Sequence, residues 1–301
     1  MKKWIKVTLT VIAIILVAVS IAAGLLFWYY PRYASSKVFY DVSEKTSDEV
    51  TVMSYNIRCY APEDTFKKSW FYRADLVIEN IASQEPDVIA FQEVNPIHLK
   101  FLKTHLKGYS FVNAYRTKTG TKEGLAIAYR TELFEALNDG YYWISDTPEK
   151  ESKDWGTAFP RIALYATLKN VKTGKTFTVV DVHLDHVSQE ARKEGMRVLV
   201  EQKEKLGFSS MILLGDMNDY EDSLMYKQAI DSGLLDAKNV ADDVYAGSGC
   251  TYQKFGAKLN ERRIDYFFLT PDIGVSSYSV ADKTYDGVYP SDHFPLVIKL
   301  K

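Results

Sequence analysis

Short apolar runs that end in acidic, amide or imidazole side chains recur along this chain of 301 residues. Three of them are VTVMSYN at residues 50–56, VIAFQE at 88–93 and MILLGDMN at 211–218. Brief apolar runs bounded by polar residues are typical of buried β-strands. The chain is therefore predicted to be rich in strands, with polar side chains gathered at the strand ends.

The predicted strands outnumber the predicted helices. The strands are Val50–Tyr55, Val88–Phe91, Leu125–Tyr129, Ile162–Leu168, Thr176–His183, Met211–Leu214, Arg263–Leu269 and Leu296–Leu300. Apolar spacing predicts a helix over Arg73–Ala82, and a polar stretch without proline predicts an exposed helix over Ser188–Lys205. A turn sequence at residues 172–175 predicts a hairpin. This mixture indicates an α/β protein with sheets packed together and helices outside, rather than one doubly wound sheet.

The N-terminal residues differ in composition from the rest. Three lysines, Lys2, Lys3 and Lys6, precede 24 uncharged residues at 7–30. About 20 apolar residues suffice for a helix to cross a bilayer, and aromatic residues at the end of the run are typical of a membrane interface. We predict a signal-anchor transmembrane segment at 1–30, a linker at 31–48 and a globular domain at 49–301. A cleaved signal peptide is the competing interpretation.

Basic residues are unevenly distributed around this apolar run. The three lysines before it, against Arg32 and Lys37 after it, favour a cytoplasmic N-terminus and an extracellular domain on a single-pass protein of the cell membrane. Residues 1–37 contain five of the 37 basic residues and none of the 39 acidic ones, so the remainder carries a formal charge of −7. Such a domain does not attract a polyanion through its net charge.

Only two cysteines occur, Cys59 and Cys250, which excludes a disulfide scaffold. Both are expected near the polar strand ends. Two hypotheses stay open at this point: the cysteines form a disulfide in the oxidising exterior, or they are separate thiols.

Several polar residues have the chemistry of a metal site. Mg²⁺ prefers carboxylate and amide oxygens and keeps positions for water and substrate phosphate. Asn56 and Glu93 close two predicted strands, and Asp216 and Asn218 follow a third with the alternate spacing that lets both face one site. Each also has an ordinary explanation as a solvated strand-end acid, a turn former or a helix cap.

Histidines and acids occur in similar settings elsewhere. His183 ends a predicted strand, and Asp265 interrupts an apolar one, where a buried acid needs a partner such as histidine. Asp292 and His293 are adjacent between two prolines, as in a rigid catalytic loop. As a set, these residues indicate a hydrolytic site that uses Mg²⁺ or a similar cation.

The ordered segments NIR, QE, HLDH, GDMN, RIDYFF and SDHFP resemble those of the endonuclease/exonuclease/phosphatase (DNase I-like) superfamily. The resemblance covers about residues 50–301. It is greatest to an uncharacterised bacterial, membrane-anchored branch, through FPRIALYATLK, VHLDH and GCTYQKF. It implies a four-layer αββα sandwich of two packed mixed sheets flanked by helices, preceded in this chain by the transmembrane helix.

The resemblance also implies the role of each residue. Asn56, Glu93 and Asp292 would bind Mg²⁺, with Mn²⁺ as an alternative ion. Asp216 would orient or deprotonate the attacking water, and Asn218 would hold that water or the phosphate. His293, held by Asp265, would act as base or stabilise the transition state, and His183 would donate to a phosphate oxygen. The choice of base between Asp216 and His293 stays open.

Four further residues are predicted to contact the substrate: Arg58, Arg161, Asp185 and His186. An arginine can clamp a phosphate through two hydrogen bonds, although a structural ion pair explains each arginine equally well. Asp185 and His186 extend the His183 segment, where they would adjust the site or bind a second metal.

The substrate is less constrained than the chemistry. The predicted function is a membrane-anchored, exported phosphohydrolase acting on a phosphodiester or phosphomonoester of a lipid, nucleotide or envelope polymer, with no protein partner. An extracellular nuclease acting on nucleic acid is the alternative, although no basic groove with interleaved aromatics is evident. A non-catalytic binding module would be expected to lack a key acid or histidine, and none of those is missing.

Overall fold

The computed structural model describes residues 2–45, 47–120, 122–247, 249–257 and 262–301. Met1, which begins the predicted anchor, lies outside the described residues, as do the side chains of residues 2, 3 and 25–27. The strands are β1 Tyr40–Asp41, β2 Val50–Asn56, β3 Val88–Val94, β4 Leu106–Lys107, β5 Tyr109–Tyr115, β6 Gly124–Arg130, β7 Phe134–Trp143, β8 Ile162–Asn170, β9 Thr176–His183, β10 Met211–Asp216, β11 Leu235–Asp236, β12 Asp243–Tyr245, β13 Asp265–Leu269, β14 Val275–Val280 and β15 Leu296–Leu300. The helices are α1 Lys2–Phe27, α2 Tyr30–Ala34, α3 Trp70–Gln84, α4 Pro96–His105, α5 Gln189–Leu206, α6 Leu224–Asp231 and α7 Ala237–Val240, and a 3-10 helix covers Phe66–Lys68.

Two mixed sheets form the centre of the domain. The larger has seven strands in the order β12-β14-β15-β2-β3-β6-β5, and the smaller has six in the order β11-β13-β10-β9-β8-β7. Strands β2 and β3 are parallel, while β15 runs antiparallel to β2. In the second sheet β9 and β10 are parallel, and β13 is antiparallel to β10. In each sheet, the two parallel strands therefore end at the same edge at which the neighbouring antiparallel strand begins. We call this edge the rim of the sheet.

Side-chain alternation along the strands explains how the layers stack. On β2, Val52 belongs to the apolar layer between the sheets, whereas Met53 and Tyr55 belong to the layer under α3 and α4. On β10, Ile212 faces between the sheets and Leu213 faces α5 and α6. Three apolar layers thus separate four structural layers, and the predicted αββα sandwich of two mixed sheets is confirmed.

Helix α5, Gln189–Leu206, lies within one residue at each end of the helix predicted over Ser188–Lys205. The Ser188 hydroxyl accepts a hydrogen bond from the Ala191 N–H at 3.1 Å, which satisfies a backbone donor of the first turn. At the other end Gly207 adopts a φ of +73°, the left-handed conformation that glycine tolerates best. Buried Met196 and Leu199 face the six-stranded sheet.

Helix α1 is long and apolar. Its segment Trp4–Gly24 has a mean hydropathy of 2.6, and none of that segment is buried against the rest of the protein. By length and composition the helix is able to cross a membrane. A signal sequence near an N-terminus has the same two properties.

Part of the predicted linker packs on the domain. Tyr33 in α2 stacks on Phe101 of α4 at a ring-centroid distance of 4.9 Å and contacts Phe71 of α3 edge-on at 5.2 Å. Strand β1 pairs with β4 in parallel. Residues 30–41 are therefore held against the helical layer outside the seven-stranded sheet.

Candidate active site

The strand register of the six-stranded sheet aligns three polar residues at its rim. Asp216, the last residue of β10, is the register partner of both His183 on β9 and Asp265 on β13. Asp216 Oδ2 lies 3.5 Å from His183 Nε2. The apolar remainder of these strands is fixed in the core, so the three side chains occupy defined positions.

The rim of the seven-stranded sheet contributes the other half of the site. Asn56 ends β2, Glu93 lies near the end of β3, and Asp292 and His293 precede β15. The Asn56 side-chain amide donates to Glu93 Oε1 and to Asp216 Oδ2, at 3.0 Å in each case. The two rims therefore meet at this amide.

His293 lies between two buried carboxylates. Its Nδ1 is 3.0 Å from Asp265 Oδ2, and its Nε2 is 3.6 Å from Asp216 Oδ2. Burial opposes the charged imidazolium, but the carboxylates of Asp265 and Asp216 outweigh it and raise the pKa of His293 well above its usual value. The imidazolium form is therefore favoured at neutral pH.

The acids differ in how readily they ionise. Burial, together with the charges of Asp265 and Glu93, raises the pKa of Asp216 to about 7. Burial alone would also raise the pKa of Glu93, but the neighbouring His183 ring, the Cys59 N–H at 2.7 Å and the charge of Arg58 together keep that pKa below its usual value. Asp216 can thus take up a proton near neutral pH, whereas Glu93 stays ionised.

His183 has the opposite character to His293. Burial and the positive charges of Arg161 and Arg116 lower the pKa of His183 well below its usual value. A neutral imidazole donates one hydrogen bond and carries no charge. Of these two histidines, His293 is therefore charged and His183 is neutral.

Three residues at the site have a left-handed backbone. The φ angles are 58° for Arg58, 63° for Glu93 and 51° for Asn218. The β3–β6 pairing is irregular between Phe91 and Val94, which is where Glu93 lies. Non-glycine residues in this conformation are strained by about 1–3 kcal/mol each and cluster at functional sites.

Arg73 of α3 holds the backbone on both sides of the strained Arg58. It is fully buried, and its guanidinium donates to the carbonyl oxygens of Ile57 at 2.6 Å, Arg58 at 2.9 Å, Pro290 at 3.1 Å and Lys68 at 2.8 Å. One side chain thus holds both the loop after Asn56 and the loop before Asp292. No sequence pattern predicts this role of Arg73 beyond its place in the predicted helix.

The segment 249–255 supports the other half of the site. The Thr251 hydroxyl accepts hydrogen bonds from the N–H groups of Ile264 at 2.9 Å and Asp265 at 3.2 Å. The Gln253 N–H donates to the Asp292 carbonyl at 2.9 Å. Asp265 and the Asp292–His293 pair are therefore fixed to one loop.

A cavity of about 450 Å³ opens at the joined rims. Its lining is Arg58, Cys59, Glu93, Arg116, Glu123, Phe159, Arg161, His183, His186, Asp216, Asn218, Tyr220, Tyr252, Ile264, Asp292 and His293. Glu93 and Asp292, which the sequence analysis assigned to one metal, thus face one space. Asn56 and Asp265 lie directly behind it.

Sequence reasoning missed one side of this cavity. Arg116 and Glu123 flank the connection between β5 and β6 and form an ion pair at 2.6 Å. The Arg116 guanidinium also lies 4.4 Å from the centroid of the Phe159 ring. An arginine and a glutamate outside apolar runs carry no recognisable pattern, and only the β5–β6 pairing brings them to the site.

Of the four predicted substrate contacts, Arg58, Arg161 and His186 line the cavity, and Asp185 does not. Asp185 is buried, and its carboxylate accepts hydrogen bonds from the N–H groups of Ala158, Val187 and Ser188 at 2.8–3.0 Å. These donors point its oxygens into the loop that precedes α5. The Asp185 carboxylate also lies 3.7 Å from Nε of the cavity residue Arg161, and its role toward the substrate stays a prediction.

Cys59 and Cys250 are both thiols. The Cys250 thiol donates to the Tyr252 carbonyl at 2.9 Å. Burial raises the pKa of Cys59 and so disfavours its reactive thiolate. The disulfide hypothesis is therefore wrong, and the alternative of two thiols is confirmed.

The donor set fits a hard divalent cation. Glu93 and Asp292 present carboxylates to the cavity, and Asp216, Asp265 and His293 each offer a ligand atom within 4.8 Å of the others. The mutual contacts of His293 with Asp265 at 3.0 Å and with Asp216 at 3.6 Å account for the closeness of the second group. Asn56 contacts Glu93 through its amide nitrogen, while its oxygen accepts from the Arg58 N–H at 3.0 Å. Its predicted role as a ligand requires that oxygen to turn toward the cavity.

The fold and the site define a class of enzyme, the metal-dependent hydrolases of phosphoric esters. The model of the Endonuclease/Exonuclease/phosphatase family matches residues 53–293, and the chain belongs to this family. The matched range runs from β2 to His293, and so includes both rims.

Three relatives illustrate the range of the family. A mannosyl-6-phosphatase of Bacteroides thetaiotaomicron VPI-5482 is 30% identical, with 84% of this chain and 99% of that structure covered at a TM-score of 0.75. An uncharacterised protein of Acanthamoeba polyphaga mimivirus is 28% identical over 76% of this chain and 91% of its own length. The CCR4-Not complex 3'-5'-exoribonuclease subunit Ccr4 of Candida albicans is 24% identical, over 87% of this chain but only 42% of its own length.

Proposed function

We propose that this protein is a membrane-anchored, exported, Mg²⁺-dependent phosphohydrolase that removes phosphate from a phosphomonoester of a small, hydroxyl-rich molecule such as a sugar. The observation that carries the proposal is the cavity itself. Beside the acid and imidazole group, its lining includes Arg116, Glu123, Phe159 and His186, and we call the part of the cavity next to these four residues the side pocket.

Glu93 and Asp292 are the proposed metal ligands, with Asn56 as a third once its oxygen faces the ion. Bound there, Mg²⁺ supplies positive charge that offsets the negative charge developing on the phosphate. The ionised state of Glu93 suits this role. Arg58 lies beside Asp292, with its Nε 3.9 Å from Asp292 Oδ2, and is placed to contact the same phosphate.

Asp216 is the proposed base. A carboxyl with a pKa of about 7 exists partly as carboxylate at neutral pH and binds a proton more strongly than an ordinary aspartate. It orients the attacking water and receives its proton. Asn218, whose N–H donates to Asp216 Oδ1 at 2.9 Å, holds this carboxylate in place.

The two histidines have different proposed roles. His293, as an imidazolium held by Asp265, stabilises the additional negative charge of the transition state. His183, as a neutral donor, hydrogen-bonds a non-bridging phosphate oxygen. This division leaves Asp216, rather than His293, as the proton acceptor.

The side pocket supports a compact polar substrate. The Arg116–Glu123 ion pair offers both donors and acceptors, which suits hydroxyl groups, and the Phe159 ring gives an apolar face for a sugar ring. Arg161 contacts His186 Nδ1 at 3.1 Å and presents further donors. The similarity to a mannosyl-6-phosphatase agrees with this substrate class.

A substrate panel tests the proposal. Sugar phosphates, nitrophenyl phosphate, bis-nitrophenyl phosphate, RNA and DNA are incubated with the full chain in detergent, with Mg²⁺, Mn²⁺ or EDTA. We expect the highest kcat/KM on sugar phosphates, no activity in EDTA, and a loss of about 10²-fold or more in Asp216→Asn. Asp231→Asn, an exposed acid on α6, is the matched control. Equal activity of Asp216→Asn and the parent would refute the assignment.

A nuclease is the second candidate, because the exoribonuclease subunit Ccr4 aligns with 87% of this chain. The formal charge of −7 on residues 38–301 makes binding of a long polyanion less favourable. A higher kcat/KM on RNA or DNA than on any sugar phosphate would replace the phosphomonoesterase with this nuclease.

A further inference from the structure

An acid that the proposed chemistry does not use lies directly beneath the site. Asp181 is in β9, two residues before His183, and its side chain is fully buried. It faces the seven-stranded sheet, because Val179, on the same face of β9, belongs to the apolar layer between the sheets. Its register partners on the neighbouring strands are Leu214 and Leu164.

The group that meets Asp181 comes from the opposite sheet. Gln92 in β3 is also fully buried and immediately precedes Glu93. Its amide nitrogen donates to Asp181 Oδ1 at 2.6 Å. This contact crosses the space between the sheets at the level just below the active-site residues.

Two buried oxygens are left unsatisfied beside this hydrogen bond, Asp181 Oδ2 and Gln92 Oε1. Both are acceptors when Asp181 is a carboxylate, so neither can satisfy the other. A proton on Asp181 Oδ2 supplies the donor, and Gln92 Oε1 is the acceptor. Burial raises the pKa of Asp181 well above its usual value, which agrees with a neutral acid at this position.

We infer that Asp181 is a positioning residue: a protonated carboxyl that exchanges two hydrogen bonds with Gln92 and ties the two sheets together beneath the active site. These hydrogen bonds affect function through the relative positions of the active-site residues. Glu93 and Asn56 come from one sheet, and His183 and Asp216 come from the other. The strained Glu93 directly follows Gln92, so the pair fixes Glu93 relative to the opposite rim.

The titratable groups nearest to the pair along the same strands are His183 and Glu93. Both line the cavity, whereas Asp181 does not. Beside Asp181 lie Leu164, Leu214, the Gln92 amide and the Val182 backbone N–H, and none of these described groups supplies a counter-charge to the carboxyl. A protonated Asp181 paired with Gln92 satisfies the hydrogen-bonding groups of both side chains and leaves no buried charge.

The first test does not depend on the proposed function. The infrared difference spectrum of the parent chain minus Asp181→Asn is recorded at pH 7 with the full chain. We expect the C=O stretch of a protonated carboxylic acid, present in the parent and absent in the variant. Because Asp216 is retained in both proteins, its signal cancels. The absence of this band at pH 7 would overturn the inference.

Thermal unfolding gives a second, independent measurement. The pKa of Asp181 is raised in the folded state, so its contribution to stability is fully present below the unfolded pKa of about 3.9 and is lost as pH rises toward the folded pKa. Asparagine does not ionise, so the Asp181→Asn variant does not lose this contribution to stability as pH rises. The Tm of Asp181→Asn relative to the parent should therefore rise between pH 4.5 and pH 7, and a difference that does not change with pH would contradict the inference.

A residue exchange tests the positioning role, and this arm rests on the proposed function. Gln92→Glu alone places two acids face to face, and Asp181→Leu leaves the amide unsatisfied. In both we expect kcat to fall by about 10²-fold with little change in KM, since displaced catalytic groups cost rate rather than binding.

Gln92→Glu combined with Asp181→Asn restores an acid–amide pair with the partners reversed and should recover most of kcat. Failure of the double variant, when the infrared band is present, would remove the positioning role while leaving the neutral acid. Failure of the parent on every substrate would instead refute the proposed function.

Discussion

Single residues at this site act mainly by holding other residues in place. Arg73 is the clearest example, because one guanidinium satisfies four carbonyl oxygens in two loops that carry Asn56 and Asp292. A lysine has three donors on a flexible stem and cannot reproduce this planar arrangement. The left-handed Arg58 backbone depends on the same contacts.

Arg73→Lys is therefore expected to lower the free energy of unfolding by about 2–4 kcal/mol, because buried carbonyl groups lose their donors. It should also lower kcat on the best substrate, since Asn56 and Asp292 lose their support. Denaturant unfolding and steady-state kinetics measure the two effects. Arg197→Lys on α5, whose arginine pairs with Glu194 and Glu201 at the surface, is the matched control. Equal stability of the two variants would show that the four contacts contribute little.

The contact between Asp265 and His293 leads to a prediction about the pH dependence of kcat. The Asp265 carboxylate raises the pKa of His293, and the imidazolium is lost as pH rises through that pKa. Asp265→Asn removes the charge and so lowers the pKa of His293. The alkaline limb of the kcat–pH profile should therefore move to lower pH, with kcat at pH 8 reduced by about 10²-fold. Phosphate release across pH 5–10, with Asp231→Asn as the control, measures this. An unchanged alkaline limb would mean that His293 does not act as an imidazolium.

Three of the residues that were predicted from sequence share one property. Glu93, Asp216 and Asp265 stand next to strongly apolar runs, where a polar residue is conspicuous. Arg116 and Glu123 were not predicted because their surroundings are polar. Asp181 lies inside an apolar run, yet its role depends on Gln92, 89 residues away, and on the packing of one sheet against the other.

At the scale of elements, the predicted strands are those with a continuous apolar sequence. Strand β9 agrees with its predicted bounds, Thr176–His183, and β15 with Leu296–Leu300. Strands β5 and β7, which were not predicted, are each the outermost strand on one side of their sheet. Most residues of β5 are only partly buried, and the middle of β7 is largely exposed. The predicted strand at Arg263 begins two residues later, because the Arg263 side chain pairs with Asp236 and Glu221 before β13 starts.

The packing of the short helix α2 on the domain is predicted to depend on Tyr33. Tyr33 contacts Phe71 and Phe101, and its hydroxyl reaches the Ile97 carbonyl at 3.4 Å. Tyr33→Ala should lower the free energy of unfolding by about 1–3 kcal/mol through lost aromatic packing. It should also speed proteolytic cleavage at residues 35–48, as α2 detaches.

Tyr245→Ala is the control for this prediction, since Tyr245 is exposed in the edge strand β12. Chemical unfolding and limited proteolysis of the full chain in detergent give the two readouts. If cleavage at residues 35–48 proceeds at the same rate in both variants, α2 does not hold the linker against the domain.

At the scale of the whole molecule, function depends on how the two sheets face each other. The seven-stranded sheet supplies Glu93 and Asp292, and the six-stranded sheet supplies His183 and Asp216. Sequence patterns predict each rim but not the distance between them, because that distance is set by the packing of side chains in three apolar layers. The resemblance to a known family provided this information where periodicity could not.

The placement of the domain outside the cell is the last prediction, and it follows from α1. Lys2, Lys3 and Lys6 before an uncharged segment favour retention of the N-terminus on the cytoplasmic side. Full-length chains with single cysteines introduced at Lys227 or at Lys6 are treated in intact cells with a membrane-impermeant maleimide. Lys227 is well exposed on α6, whereas the native thiols are buried or disfavour the thiolate, so the unmodified chain gives the background.

We expect the Lys227→Cys protein to be labelled in intact cells and the Lys6→Cys protein only after lysis. The reverse pattern would place the domain in the cytoplasm. A cleaved signal peptide predicts a different result, namely a soluble exported protein that is labelled at 227 and has lost residue 6 altogether. Because α2 is packed on α3, cleavage within α1 would leave the domain folded, so enzymatic activity alone cannot distinguish these outcomes. Membrane fractionation combined with the labelling pattern can.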